Sequence, residues 1–189
     1  MTIALTPAML RRLLRYEPET GKLFWRPRAL SMFSSRRAGR SWNTRYAGKE
    51  AFTAVGIYGY KEGRIFGRGY RAHRVIWAIQ TGEWPQHEVD HRDTYPANNR
   101  WANLRAATHE QNMRNASIKK NNTSGYKGVC WDSSREKWIA QIHYGGKHHR
   151  LGRFTRIEDA VFAYRAAIAE HYEEFANDGT LNRGAKPLE

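Results

Sequence analysis

The chain has 189 residues, 32 Lys and Arg against 18 Asp and Glu, and a formal net charge of +14, a length that allows one large domain or two small ones. The charge is uneven: residues 1–50 carry 11 Lys and Arg against 3 Asp and Glu, whereas residues 155–189 carry 4 against 7, a pattern that favours a polyanionic partner over general solubility. One cysteine, Cys130, excludes a disulfide framework and a zinc site built from paired thiolates, and no long basic amphipathic helix or apolar span points to a membrane.

Thr6-Pro7 reads as an N-cap followed by proline at the first helical position. Met9, Leu10, Leu13 and Leu14 form one apolar stripe, so a short helix is expected to end near Tyr16. Met1–Leu10 runs straight into Arg11 and Arg12, unlike a signal peptide, and a cytoplasmic location is expected. Glu17–Gly21 is turn chemistry, and Lys22–Trp25 looks like a strand. From Arg26 to Tyr46 the chain is rich in Arg and Ser with little periodicity. A mobile basic loop is expected there, either simply solvated or touching phosphate through Arg36, Arg37 and Arg40.

Residues 52–71 are rich in Gly, aromatic and β-branched types, with turn signals at Tyr58-Gly59-Tyr60, Glu62-Gly63 and Phe66-Gly67. They predict two or three short antiparallel strands. Ala72–Thr81 carries Val75, Ile76 and Ile79 at helical spacing and stops at Gly82, with Pro85 beyond. His73 and Trp77 share this helix at i and i+4, and His73 reads as a packed residue rather than a ligand.

The densest chemistry lies between Val89 and Asn112. Asp90 and His91 would point to opposite faces inside an ideal strand, so for both to serve one site the strand must end or bend, and Arg92-Asp93-Thr94-Tyr95-Pro96 is turn-prone. Asn103–Ala107 is the expected return strand. Thr108 with Gln111 makes a capping box, which starts a helix at His109 and puts Asn112 at the end of its first turn. An acidic residue, a histidine and two asparagines at this spacing can hold one divalent metal beside one general base. On a chain this basic, that points to cutting a phosphodiester. His87 reads as an exposed turn residue, and His109 as a secondary candidate for metal or phosphate.

Ala116–Ser124 is polar and lacks a core pattern, as a linker would. Gly125–Trp131, Lys137–Tyr144 and Lys147–Phe154 then read as three strands, with Gly145-Gly146 as a hairpin turn. Cys130 falls among these strand residues as a small packed or sheet-surface side chain. Thr155 with Glu158 suggests another capping box, opening a helix with Ala160, Ala163, Tyr164 and Ala167 on one face. Alternation puts Trp138, Ala140 and Ile142 toward that helix and Ile139, Gln141 and His143 outward. On the next strand Leu151 goes inward, with His148 and Arg150 outward. Gln141 and Arg150 carry hydrogen-bonding forks that can read base edges, while Lys127 and Lys147 suit phosphate. Trp131 either stacks on sugar or fills the core.

Two family resemblances follow from these motifs. Ala72-His73-Arg74-Val75-Ile76-Trp77, Val89-Asp90-His91, Asn98-Asn99-Arg100, Asn103-Leu104-Arg105, Thr108, Gln111-Asn112 and Asn115 together resemble the HNH endonucleases of phages and their introns. The resemblance covers roughly residues 47–115. It implies the ββα-metal fold, with His91 as general base, Asp90 and Asn112 on one divalent cation, and Asn103 steadying the loop. Asparagine replaces the name's third histidine, which favours Mg²⁺ or Mn²⁺ on oxygen ligands over zinc. Ser124–Val129, Lys137–Ile142, Leu151-Gly152-Arg153-Phe154 and Glu158-Asp159-Ala160 resemble the Apetala-2 type DNA-binding domain, also found in phage HNH nucleases. That family lays a three-stranded sheet, backed by one helix, in the DNA major groove. It carries arginine at several positions where this chain has Lys127, Cys130 and His143, so base preference does not transfer.

The expected organisation is an α+β protein: an N-terminal helix, hairpin and basic loop (1–46), a ββα-metal nuclease domain with N-terminal antiparallel strands (47–115), a linker (116–124), a three-stranded antiparallel sheet on one helix (125–176), and a tail (177–189). The expected function is a homing-type DNA endonuclease leaving 5′-phosphate and 3′-hydroxyl ends. Its partner is double-stranded DNA, with a monomer the default and a dimer left open, and its setting the host-cell cytoplasm if phage-encoded. The alternative is a non-catalytic DNA-binding protein or regulator.

Overall fold

The computed structural model describes residues 5–119 and 121–179. It is a mixed α+β chain that divides into two compact units, the first ending at Ala107 and the second beginning at Thr108. The division falls ahead of the segment expected as a linker. Lys120 of that segment and residues 180–189 of the expected tail lie outside the described residues.

The first unit opens with helix α1 (Pro7–Leu13), capped by the Thr6 hydroxyl on the Met9 amide and carrying proline in its first turn. The apolar stripe continues past the helix, because Leu14 already opens strand β1 (Leu14–Glu17). Tyr16 therefore lies in a strand, not at a helix end. β1 pairs antiparallel with β2 (Lys22–Trp25). The connecting Gly21 has φ +72°, and a Cβ there would sit 2.5 Å from the Asn99 carbonyl carbon. Glycine is required on both counts.

The stretch expected as a mobile basic loop is ordered. A 3-10 turn (Leu30–Met32) precedes helix α2 (Arg36–Tyr46), which the Ser35 hydroxyl caps through the Ala38 amide. Gly39 is buried against Leu30 and Phe33, and Trp42 packs edge-on against Trp25 with centroids 5.6 Å apart. Gly39, Trp42, Asn43 and Tyr46 do recur at i, i+3, i+4 and i+7. The inward stripe is made of a glycine, aromatics and an amide, so it does not register as an apolar period.

Strand β3 (Glu50–Ala51) completes the first sheet, in the order β1-β2-β3. β4 (Ala54–Val55), β5 (Lys61–Ile65) and β6 (Arg68–Arg71) form a second antiparallel sheet. Helix α3 (Ala72–Thr81) buries Ala72, His73, Val75, Ile76, Ala78 and Ile79, and ends on Gly82 at φ +86°. Its apolar face joins Leu10, Leu13, Leu14, Leu23, Phe52 and Ile65 in one core, which also takes in Val89 and Leu104. Those last two belong to an antiparallel ribbon of β7 (Glu88–His91) and β8 (Leu104–Ala107). The core thus anchors both strands of the ribbon.

The second unit begins with helix α4 (His109–Asn115), whose N-terminus carries a complete Thr108–Gln111 capping box. Strands β9 (Val129–Asp132), β10 (Lys137–Tyr144) and β11 (Lys147–Phe154) form an antiparallel sheet with β10 central, backed by helix α5 (Ile157–His171). Gly145 and Gly146 turn the hairpin at φ +59° and +72°, the conformation of a type I′ turn. β9 starts later than expected. Residues 122–126 are tied in a turn by Asn122 and Ser124, whose hydroxyl reaches the Val129 carbonyl. Gly128 then lets the Tyr164 ring approach to 2.1 Å from where a Cβ would stand. The expected Thr155 cap is absent. α5 begins after Arg156 with no side-chain cap, and the Thr155 hydroxyl instead receives the Lys137 ammonium at 2.8 Å.

Candidate active site

The β7–β8 ribbon places the two central residues next to different partners. Asp90 lies opposite Arg105 and His91 opposite Leu104 in the antiparallel register. Directly opposed residues share a face, so the ribbon sorts the acid and the imidazole to opposite sides. The Arg105 guanidinium holds the Asp90 carboxylate through Nε at 2.9 Å and Nη2 at 2.8 Å, with both side chains 5% exposed. Both nitrogens meet the same oxygen, Oδ2, in a buried, charge-assisted pair.

His91 is the last residue of β7 and is buried. Its Nε2 lies 3.1 Å from Asn99 Oδ1. The Asn99 oxygen can only accept, so Nε2 carries the proton and Nδ1 carries the lone pair of the neutral ring. Burial pushes the His91 pKa down, while the Asn99 hydrogen bond and the carboxylates of Asp93 and Asp90 pull it back up. Around the ring stand Tyr60, with centroids 5.9 Å apart, and His73, edge-on at 5.2 Å. His73 is packed, as its place on α3 suggested, and burial brings its pKa down to about 3.

Asn99 is itself held from the first sheet. The Tyr16 hydroxyl donates to its carbonyl at 2.7 Å, Arg100 Nε donates to the Glu19 carbonyl, and the Trp101 amide donates to that of Pro18. The turn between β1 and β2 therefore positions the partner of His91 across about 80 residues of chain. Asn103, expected to open the return strand, instead ends a 3-10 turn (Trp101–Asn103) that leads into β8. Its Oδ1 accepts from the Asp93 amide, and its Nδ2 donates to Asp93 Oδ1 and to the Asn98 carbonyl. Asn98 closes the knot by donating to Asp93 Oδ2 at 2.6 Å. Asn103 thus ties down the loop that follows His91. Thr94, inside that loop, adopts φ +60° and buries a hydroxyl without a hydrogen-bond partner among the described residues.

Asn112 lies in the second unit, one turn into α4, with its amide on the Thr108 carbonyl. His109 and His87 are exposed. Among the described residues no group of three or more His, Cys, Asp or Glu side chains is placed to hold a metal ion. Sequence reasoning gave no role to Asn99, Arg105, Asp93 or Tyr60. Asn99 and Arg105 did lie in the quoted motifs, but nothing in those runs says which residue they face.

In the second unit the register sorts the expected DNA-contact residues. Gln141 lies opposite Arg150, and His143 opposite His148, their rings edge-on at 4.7 Å. These four share the sheet face turned away from α5. Lys147 is exposed at the hairpin end, paired with Tyr144. Ile139 is on the outward side by alternation but is only 9% exposed, so it is a packed residue and not a contact surface. Trp131 pairs with Trp138, on the helix-ward side, with centroids 5.0 Å apart. Its indole is therefore not on the outward face. Lys127 donates to the Arg114 carbonyl at the end of α4 at 2.7 Å, and burial lowers its pKa to about 8. It braces a helix end rather than projecting toward a phosphate. Cys130 is exposed on the edge strand, and Arg36, Arg37 and Arg40 are exposed along α2.

Residues 70–114 match the family described as HNH endonuclease. Among curated proteins the chain is similar to Protein 3.8 of Escherichia phage T7, 33% identical over 112 residues, which span 59% of this chain and 93% of that protein. No solved structure matches the chain. No helix among the described residues is long and apolar enough to cross a membrane.

Proposed function

The chain belongs to the HNH endonuclease family, and from that premise we propose that it is a divalent-metal-dependent DNA endonuclease of the phage homing type. The observation that carries this reading is His91, buried at a strand end with its tautomer set by Asn99. In the proposed reaction His91 Nδ1 takes a proton from water. The water oxygen forms a bond to phosphorus as the bond from phosphorus to the 3′ oxygen breaks, and the departing 3′ oxygen takes a proton from solvent, leaving 5′-phosphate and 3′-hydroxyl ends. A base kept neutral by burial is ready to accept a proton at neutral pH. Asn103 acts as a positioning residue, through the loop it ties to Asp93 and Asn98.

Enzymes of this family generally depend on a divalent metal. The donors expected here, the Asp90 carboxylate and the Asn112 amide oxygen, are hard oxygen ligands of the kind Mg²⁺ and Mn²⁺ take. With no acidic or histidine cluster among the described residues, waters and the phosphate itself would complete the shell. A divalent cation would supply charge neutralisation on the phosphate and the departing oxygen.

The second unit is proposed as an Apetala-2 type module that reads DNA with the sheet face carrying Gln141, His143, His148 and Arg150. Lys147 and the α2 arginines Arg36, Arg37 and Arg40 are proposed to meet phosphate. A formal charge of +14 supports a DNA footprint of this kind. The protein is proposed to act as a monomer on double-stranded DNA in the host cytoplasm, nicking one strand per visit.

A non-catalytic DNA-binding protein is the second reading, and the buried Asp90–Arg105 pair favours it, because that carboxylate is already engaged. Supercoiled plasmid and phage genomic DNA incubated with Mg²⁺ or Mn²⁺ separate the two. Cleavage that stops with chelator, and with His91→Ala at unchanged DNA affinity, supports the nuclease. Absence of cleavage with every metal leaves the binding protein. Sequencing the ends produced on phage and host DNA then tests the homing role.

A further inference from the structure

In the first unit, the faces of β2, α2 and the β5–β6 turn border an open hollow of about 420 Å³, lined by Trp25, Arg28, Trp42, Tyr46, Arg64 and Phe66. Its size falls within the range of small-ligand sites, and it lies apart from the His91 cluster. Three observations say that it is built for a ligand. The first is Arg28. Its guanidinium stands 4.0 Å over the Trp42 ring, 4.7 Å over Trp25 and 5.4 Å over Phe66, and its Nε is buried with no hydrogen-bond partner among the described residues. Arg28 is held in place by Asn43, whose Oδ1 accepts from its amide and whose Nδ2 donates to its carbonyl, both at 2.9 Å. A pre-positioned cation with an unused donor calls for an acceptor.

The second observation is Phe66. It occupies φ +49° in the turn between β5 and β6, where Asn, Asp or Gly is the unstrained choice. It is also 42% exposed, so core packing does not repay the strain. Backbone strain of this kind is found where a site needs a side chain at one spot. The third is the polarity of the lining. Arg28 and Arg64 donate only, and the remaining walls are aromatic faces. A ligand that fits must offer a π face and hydrogen-bond acceptors together.

We propose that this hollow takes one unstacked nucleobase of a DNA strand, stacked on the exposed rings of Tyr46 and Phe66, with its acceptor edge or its phosphate on Arg28 and Arg64. The exposed arginines of α2, Arg36, Arg37, Arg40 and Arg45, would follow the flanking backbone. The proposal takes DNA as the partner from the nuclease reading but needs no catalysis.

The test uses the full chain in chelator, so that no strand is cut. Affinities are measured by fluorescence anisotropy for a labelled duplex with one bulged thymine and for the same duplex fully paired. The expected preference for the bulged duplex is about tenfold, the scale of one base–aromatic stacking contact. Phe66→Gly relieves the turn, so the variant should fold at least as stably as the natural chain. It should lose the preference while keeping affinity for the paired duplex. Equal affinity for the two duplexes, or a preference that survives Phe66→Gly, overturns the pocket whatever the chain does to plasmid. A preference that is seen in a protein that never cleaves overturns only the nuclease.

Discussion

Nε2 of His91 lies 3.1 Å from Oδ1 of Asn99, with both side chains buried, and the turn between β1 and β2 holds the backbone that carries Asn99. This contact raises the His91 pKa against the larger, lowering effect of burial. Asn99→Ala should therefore do two things. It should slow cleavage by part of the 10²–10⁴-fold that a general base contributes, and it should move the acid limb of the pH–rate profile to lower pH. A single-turnover pH series measures both. A slower enzyme with an unmoved profile would assign Asn99 to folding alone.

Arg105 meets Asp90 Oδ2 through two nitrogens in a buried ion pair, with both side chains 5% exposed. Breaking one partner of such a pair strands the other, at about 3–5 kcal/mol. Arg105→Ala should lower unfolding stability by that amount in urea titrations. Replacing Asp90 and Arg105 together by apolar residues should cost much less than the single change. A loss below about 1 kcal/mol in the single variant would show that the pair is not what orders the ribbon.

Histidine burial sets a pH dependence. His73 is held down to about 3, and His91 is also lowered, both chiefly by burial. Below about 6.5 the unfolded chain binds protons that the folded chain refuses. Stability is complete above pH 6.5 and is lost as the pH falls below it, by up to about 1.4 kcal/mol per pH unit for each histidine. His73→Phe keeps an aromatic ring and removes one titration, so urea midpoints between pH 7 and 5 should fall less steeply than in the natural chain. An equal slope would rule His73 out as a source.

Residues on two neighbouring strands, β10 and β11, should separate DNA reading from packing. Arg150 lies opposite Gln141 on the face turned from α5, and its loss should cost about 1–3 kcal/mol of discrimination between preferred and random duplexes. Ile139, 9% exposed, should instead cost about 2–5 kcal/mol of stability on change to Ala. Competition gel shifts and thermal melts measure the two. Specificity that falls with Ile139→Ala in a fully stable protein would reverse that division.

Local rules carried a good part of this protein. α3 runs from Ala72 to Thr81 and stops at Gly82, α4 opens on the Thr108–Gln111 box, and β10 and β11 turn at Gly145-Gly146, all as spacing alone predicts. Those features rest on periodicity, caps and glycine conformation, which a few adjacent residues decide. The motif that singled out Asp90 and His91 was legible in the same way.

Only tertiary structure decided what each of these residues faces. Helix α2 forms where a loop was expected, because its inner stripe is completed by Trp25, Leu30 and Phe33 from other segments. Trp131, Ile139 and Lys127 left the expected DNA face through sheet register, side-chain cover and a carbonyl 13 residues away. His91 met Asn99 because a distant turn, with Gly21 at its tip, presses on the Asn99 backbone. Chain order shows which groups are available for chemistry. Their partners come from contacts between segments far apart in sequence, and a local pattern holds no record of those.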